Sequence, residues 1–166
     1  MQIPHRKPGK WTHHQGDAFV TREKYQELER TLDRLKNVTR RQAAADVARY
    51  AELGDFSENA EYQAAKGRLR GINNRILTIE NQLRQAVIIA PRGKSDVVAV
   101  GCAVTVEAQG RERTFHILGS TESDPSAGVI SHISPIGSAL IGHRVGESVT
   151  VKLADRDVVY TIRSIA

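Results

Sequence analysis

The sequence predicts an α+β protein in which an N-terminal antiparallel coiled-coil hairpin is followed by a small, mostly antiparallel β domain. Two observations carry this prediction. Apolar residues recur at spacings of three and four up to position 90, as in paired helices, and beyond position 97 the period drops to two, as in strands. The predicted segments are an arm, the hairpin, a linker and the β domain, at 1–19, 20–90, 91–96 and 97–166.

Composition and charge are those of an ordinary soluble protein, with 26% charged and 40% apolar residues and a formal net charge of +5. The single cysteine, Cys102, excludes an internal disulfide and a Cys-rich zinc site, and it favours a reducing compartment. Residues 1–10 lack the apolar run of a secretory signal, and no stretch approaches the roughly 20 apolar residues that span a membrane. We therefore expect a cytoplasmic protein without membrane contact. Its mild basicity is compatible with nucleic-acid binding and equally with simple solubility.

The arm at 1–19 contains Pro4, Pro8 and Gly9 and has no periodic apolar pattern, which indicates a flexible segment. His13 and His14 are adjacent but lack further ligands, a pattern far more typical of a polar tail than of a metal site.

The first helix of the hairpin is predicted to begin at Thr21, whose side chain can cap it, with Glu23 at the positive end of the helix dipole. Its apolar positions first follow the spacing of a coiled-coil seam and then move to steps of four, which indicates a stutter. The seam positions are Tyr25, Leu28, Leu32 and Leu35, and the later ones are Ala43, Val47 and Ala51.

A second apolar series alternates steps of four and three over 65–86, and Gly54 between the two series is a natural helix stop. The pattern therefore predicts two antiparallel helices of about 30 residues, each roughly 45 Å long. Gly67 and Gly71 lie inside the second helix. Each costs about 1 kcal/mol relative to alanine, which packing along the seam should offset.

Short alternating runs separated by turns such as Gln109-Gly110 predict the β domain after the linker. The predicted strands are 103–108, 114–118, 128–133, 148–153 and 158–165, and a short helix is predicted at 135–140.

Charge is segregated around the turn of the hairpin. No basic residue lies between Arg49 and Lys66, and no acidic residue lies between Lys66 and Glu80. Helices usually intersperse charges to gain pairs four residues apart, so this pattern predicts an acidic tip above a basic strip. The alternative is a helix cap formed by two of the acids, which leaves the others unexplained. The tip acids are Glu52, Asp55, Glu58 and Glu61, and the basic residues that follow are Lys66, Arg68, Arg70 and Arg75.

Asp55 and Glu58 are three residues apart, so both carboxylates can point at one ion from a helix-entry turn. Mg²⁺ commonly takes one or two protein carboxylates and keeps several waters. A hairpin that supplies two carboxylates does not provide a complete set of metal ligands by itself. It could complete a metal site only within the active centre of another protein.

The segment 54–66, GDFSENAEYQAAK, strongly resembles the tip motif of the Gre-type bacterial transcript-cleavage factors. Weaker family-like stretches lie at 20–23, 79–83 and 134–142. The resemblance extends from about residue 19 to residue 165. It implies a coiled-coil hairpin followed by an FKBP-like C-terminal domain, which agrees with the hairpin and the small β domain predicted above.

The resemblance also implies a partner and a mechanism. Gre factors enter the secondary channel of bacterial RNA polymerase with the hairpin tip beside the catalytic Mg²⁺, and they activate cleavage of the RNA 3′ end in backtracked complexes. Asp55 and Glu58 match the two essential acids of the family, which help to hold a second Mg²⁺ shared with the polymerase. The chain is therefore expected to activate the polymerase in trans and not to be an enzyme itself.

Three further sets of residues take expected roles from this resemblance. Ser57, Asn59, Glu61 and Tyr62 are expected to shape the tip, although Tyr62 could equally serve packing. The basic residues expected to contact RNA are Lys66, Arg68 and Arg70, and those expected to dock on the polymerase are Ser134, Pro135, Ile136 and Leu140.

Several positions depart from the family pattern. The usual Arg-Pro pair of the first helix is Arg40-Arg41 here, without the proline. The SPxAR segment has Ser138 in place of its arginine, and Ile133 replaces the preceding Asn or Asp. The last two changes fall in the expected docking segment.

Three rival functions are open. An inhibitory secondary-channel factor would block the polymerase without activating cleavage, which the intact Asp55 and Glu58 argue against. A prolyl isomerase or chaperone would need an aromatic pocket, for which 97–166 offers Phe115 and Tyr160. A structural coiled-coil adaptor would not need clustered acids at its turn. Because one hairpin uses up the apolar seam, we expect a monomer when the chain is free.

Overall fold

In the computed structural model, residues 18–52, 60–90, 95–152 and 157–166 are described. They divide into two compact units. The first is a helical hairpin formed by residues 19–52 and 60–90, and the second is a β domain formed by residues 95–152 and 157–166. Ser95 and Asp96, placed in the linker from composition, group with the β domain. No described helix is long and apolar enough to cross a membrane.

The first arm of the hairpin consists of α1 (Arg22–Arg34), a π-helical segment (Leu35–Thr39) and α2 (Arg40–Ala51). Thr21 caps α1 as predicted, because its Oγ1 accepts a hydrogen bond from the Lys24 backbone N–H at 3.2 Å.

The π-helical segment lies where the apolar spacing predicts a stutter. From Leu35 to Ala51 the seam positions advance in steps of four, with Thr39 as the one polar member. Each step turns the apolar face by about 40° around a regular α-helix, so four steps would turn it by about 160°. One widened turn adds a residue and recovers about 100° of that drift. The backbone N–H of Arg40 accordingly donates to the Leu35 carbonyl, five residues earlier. The π-helical segment ends two residues before Arg41, where the family pattern has proline.

The second arm is α3 (Ala60–Gln85), which packs against α2 and, farther along, against the π-helical segment and α1. Its predicted seam is confirmed: Ala65, Ile76 and Ile79 are buried, and the other seam positions are partly buried. Lys36 and Glu80 form an ion pair of 2.5 Å between the two arms. The antiparallel hairpin predicted from the apolar spacing is therefore present.

A pair of short strands, which the sequence did not predict, joins the two ends of the hairpin. β1 (Phe19–Val20) runs parallel to β2 (Val87–Ile88), and the Ile89 backbone N–H donates to the Val20 carbonyl at 2.8 Å. Strands of two residues are too short to show a period of two, so periodicity could not reveal them.

The β domain contains one five-stranded sheet in the order β5-β4-β3-β7-β6. Its strands are β3 (Ala103–Ala108), β4 (Arg111–Leu118), β5 (Val129–Ser131), β6 (Ser148–Lys152) and β7 (Asp157–Ile165), and α4 spans Pro135–Leu140.

The predicted strands are present, with three corrections. β5 spans Val129–Ser131 and not 128–133, because residues 132 and 133 form a turn before α4. β4 begins at Arg111 and not at residue 114, because its polar first residues still pair with β3. β5 pairs parallel to β4, so the sheet is mixed. The chain crosses over between these strands through two short 3-10 turns, Ser120–Glu122 and Pro125–Ala127.

The hydrophobic core of this domain lies on one face of the sheet. The residues with no exposed surface are Val104, Val106, Ile117, Leu140 and Ile162. Ile136 and Ala139 of α4 pack against this core and are partly buried.

Two glycines offer a matched test of backbone packing. Gly128 has a left-handed φ of 76°, and an added Cβ would lie 2.9 Å from the Thr114 carbonyl oxygen. Gly110 has a φ of 72°, but its added Cβ would meet nothing within 4 Å. Gly110→Ala should therefore lower the free energy of unfolding by about 1–2 kcal/mol, the cost of a left-handed alanine. Gly128→Ala should lower it further in urea titrations. Equal losses would show that the Thr114 contact costs nothing.

Candidate functional site

Four predicted tip residues, Asp55, Ser57, Glu58 and Asn59, lie in segment 53–59, outside the described residues. Their two acidic neighbours, Glu52 and Glu61, are described and flank this segment. Glu52 follows the last residue of α2, and Glu61 lies in the first turn of α3. Both are exposed, and neither forms an ion pair within the described residues.

The basic residue nearest to the tip on α2 contacts neighbours on its own helix. Arg49 pairs with Asp46 at 3.1 Å, and its guanidinium lies 4.9 Å from the centroid of the Tyr50 ring. The negative charge of Glu52 is therefore not neutralised by Arg49. At the start of α3 the positive end of the helix dipole favours the Glu61 carboxylate.

Tyr62 and Lys66 form the first contact below the tip on α3. The Lys66 ammonium lies 5.0 Å from the centroid of the Tyr62 ring, a cation–π geometry. Tyr62 is partly buried and Lys66 is exposed. The ring can therefore both pack at the end of the hairpin and hold the lysine against the helix.

The helical geometry divides the predicted basic strip into two edges. Relative to the buried Ala65, helical spacing places Lys66 and Arg70 at about +100° and +140° around α3. It places Arg68 and Arg75 at about −60° and −80°. Residues two apart on a helix face nearly opposite directions, so these basic residues lie along two edges of α3, and their contact with RNA stays a prediction. All four are exposed, and none forms an ion pair within the described part of the chain.

Arg68 differs from Lys66 and Arg70 in its surroundings. It borders a depression of about 190 Å³ between α2 and α3. Asp46 of α2 lines the same depression, together with Ala43, Ala65 and Ile72. Arg68 and the Asp46 carboxylate thus line the same depression. Lys66 and Arg70 lie on the opposite edge of α3.

The expected docking segment contains a short helix with a side-chain cap. Ser134 caps α4, because its Oγ accepts a hydrogen bond from the Gly137 backbone N–H at 3.0 Å. Pro135 occupies the first turn, where its lack of an N–H costs nothing. Ser138, which replaces the family arginine, donates its hydroxyl to the Ser134 carbonyl at 2.8 Å. The Ser138 hydroxyl is therefore used in a hydrogen bond within its own helix.

The residues of this segment differ sharply in exposure. Ile133 is 64% exposed, Ile136 is partly buried against the core, and Leu140 has no exposed surface. Leu140 therefore holds α4 on the sheet and offers no surface to a partner. Ile133 is the most exposed large apolar side chain at this segment.

The loop after α4 is held by a short polar contact. His143 Nδ1 lies 2.6 Å from Glu147 Oε2. The hydrogen bond from His143 is the main cause that holds the pKa of the Glu147 carboxyl below its usual range. Both groups are well exposed, so this contact shapes the loop without storing much energy.

Comparison with known proteins matches both units. Residues 18–88 match the N-terminal family model of transcription elongation factors, and residues 93–166 match the GreA/GreB C-terminal family model. The chain is 39% identical to transcription elongation factor GreA of Bacillus velezensis over 149 residues, which cover 89% of this chain and 95% of that relative. It is 43% identical to GreA of Geobacillus kaustophilus over 136 residues, which cover 80% and 86%. The chain belongs to the GreA/GreB family of transcription elongation factors. A solved structure, GreA factor homolog 1 (Gfh1) of Thermus thermophilus, aligns over 89% of this chain and 97% of its own, with 25% identity and a TM-score of 0.41.

Within the described residues, this GreA/GreB family member has no cluster of three or more His, Cys, Asp or Glu that could hold a metal ion. Asp55 and Glu58, the metal ligands expected from the sequence, lie in segment 53–59, outside the described residues. Mg²⁺ commonly takes one or two protein carboxylates and keeps several waters. Two carboxylates from this chain would therefore suit a Mg²⁺ ion whose other ligands come from water and a second protein.

Proposed function

We propose that this GreA/GreB family member binds bacterial RNA polymerase through the secondary channel and stimulates cleavage of backtracked RNA at its 3′ end. The single observation that carries the proposal is the charge segregation at the closed end of the hairpin. Glu52 and Glu61 have no ion-pair partner within the described residues, and Asp55 and Glu58 lie between them in sequence. Four acids in this position cost stability through repulsion, which a purely structural hairpin would avoid.

In this proposal Asp55 and Glu58 act as ligands supplied in trans. They would hold a Mg²⁺ ion together with groups of the polymerase. Such an ion lowers the pKa of water and stabilises an in-line displacement at phosphorus. The carboxylates would also accept hydrogen bonds from the attacking water and so orient it. The catalytic ion belongs to the polymerase, so the chain alone has no nuclease activity.

The proposal is tested by adding the protein to a stalled, backtracked elongation complex and following RNA length. Shortening of the transcript with release of a 3′ fragment is the expected result. If the protein binds the complex and the RNA keeps its length, the chain is an inhibitory secondary-channel factor. The protein without polymerase, incubated with the same RNA, serves as the control and should leave it intact.

The two basic edges of α3 give a prediction with a built-in control. Lys66 and Arg70 share the edge that faces away from the Asp46 depression, so we propose that they contact the RNA phosphates. Lys66→Ala/Arg70→Ala should impair cleavage of long extruded RNA more than cleavage of dinucleotides. Because phosphate contacts release counterions, this loss should also shrink at high salt.

Arg68→Ala/Arg75→Ala removes the same two charges from the opposite edge and should leave the length preference unchanged. Rates on both substrates, measured with saturating protein, decide between the edges. Equal losses from the two double variants would reduce the basic residues to solvated helix surface.

A further inference from the structure

A cavity of about 430 Å³ lies in the β domain at the core face of the five-stranded sheet. Strands β3, β4 and β7 supply its walls. The lining residues used below are Val106, Ala108, Arg111, Arg113, Val158 and Tyr160.

Strand register places two arginines on the face that carries the core. Arg113 is paired with Val106 and Arg111 with Ala108 across β3 and β4. Directly paired residues project from the same face of a sheet, and Val106 has no exposed surface. Charged residues at the edge of a core face break the pattern that specifies the fold, and such breaks concentrate at functional positions.

The charges of these two arginines are not compensated within the described residues. Arg111 and Arg113 are exposed, and neither forms an ion pair there. The opposite face of the same sheet is different, because Arg163 Nε donates to Glu107 Oε2 at 2.8 Å. The sheet thus neutralises an arginine on its outer face and leaves the two beside the cavity available.

The floor of the cavity is apolar and almost closed. Val106, Val158 and Tyr160 are 0%, 6% and 8% exposed. Phe115 meets the Tyr160 ring edge-on, with centroids 6.4 Å apart and planes at 73°, which fixes the ring. Because the ring is mostly buried, it offers no open platform on which a nucleic-acid base could stack. The floor fits an aliphatic side chain better.

We propose that this cavity binds an acidic peptide segment of a protein partner. Carboxylates of the segment pair with Arg111 and Arg113, whose planar guanidinium groups match a carboxylate with two parallel hydrogen bonds. An aliphatic side chain between those carboxylates contacts Ala108, which lines the cavity and is partly exposed. The proposal does not depend on cleavage activity, and it concerns a surface separate from α4.

The test is an NMR titration of the ¹⁵N-labelled full chain with the peptide acetyl-Asp-Leu-Glu-amide. Saturable shifts of the Val106, Arg111 and Arg113 amides are expected. Arg113→Ala should raise Kd at least about tenfold, whereas Arg163→Ala, the same change on the outer face, should raise it less than about threefold. Thermal melts of both variants establish that each is folded before the affinities are compared.

Three outcomes would overturn the proposal. The neutral peptide acetyl-Asn-Leu-Gln-amide could bind as tightly, which would remove the role of the arginines. An oligouridylate could bind this surface more tightly than the peptide, which would make the ligand a nucleic acid. Asp155 lies in sequence between β6 and β7, in segment 153–156 outside the described residues. Binding could also be seen only after Asp155→Asn, which would mean that a carboxylate of the chain itself already pairs with the arginines.

Discussion

Asp55→Asn and Glu58→Gln are each expected to lower the rate of transcript cleavage at least about tenfold, equivalent to roughly 1.4 kcal/mol of barrier. Each change removes a charge and keeps the shape of the side chain. Asparagine also caps helices as well as aspartate does, so a capping role would be preserved in Asp55→Asn. Thermal stability and polymerase binding should therefore stay almost intact, and excess Mg²⁺ should restore part of the rate.

Glu52→Gln provides the matched control, because it removes the same charge from the same acidic tip at a position that is not a proposed ligand. Its effect on cleavage should be much smaller. The Asp55 and Glu58 variants should also compete with the unmodified protein for polymerase and so inhibit it. If Glu52→Gln lowered the rate as much as Asp55→Asn did, general tip charge would explain the activity and the metal-ligand role would be wrong.

The second large effect is expected at the docking segment. Ile133→Asp should weaken binding to RNA polymerase at least about tenfold, because it places a charge on the exposed apolar surface of the segment. Ile133 is 64% exposed, so the β domain should keep its thermal stability. Binding of the labelled protein to core polymerase, followed by fluorescence anisotropy, measures the change.

Val159→Asp is the control, since Val159 is 55% exposed and lies on β7, outside the docking segment. It should leave the affinity unchanged. Ile136→Asp is a poorer probe, because Ile136 packs against the core and a buried carboxylate would destabilise the domain itself. A loss of binding shared by Ile133→Asp and Val159→Asp would mean that docking depends on overall charge and not on this segment.

The features predicted correctly from the sequence are those that local physics determines. The cap at Thr21 and the helix start at Pro135 follow from single side chains and their immediate neighbours. The seam of α3 follows from apolar spacing, and the helix continues through Gly67 and Gly71.

The features that were missed depend on chain segments far apart in sequence or on angles around a helix. The parallel pairing of β4 with β5 depends on how residues 119–128 cross over, which apolar period does not record. The stutter after Leu35 was visible in sequence, but its resolution as one π-helical turn depends on packing against α3.

For the candidate site, residue types were easier to predict than their placement. The basic residues of α3 follow from the sequence, yet their division into two edges appears only when the 3.6-residue turn is applied to each position. Leu140 was grouped with the docking residues because it matches the same family segment. Its complete burial shows that motif membership does not distinguish a contact residue from one that supports the helix beneath it.

The most direct test of the metal site supplied in trans uses the Asp55→Asn/Glu58→Gln double variant at saturating concentration on a backtracked elongation complex. RNA length is followed over a range of Mg²⁺ concentrations, and occupancy is checked by competition with the unmodified protein. We predict that the variant occupies the polymerase while cleavage falls to the rate of the complex without any factor. Full cleavage activity from the bound double variant would contradict the mechanism.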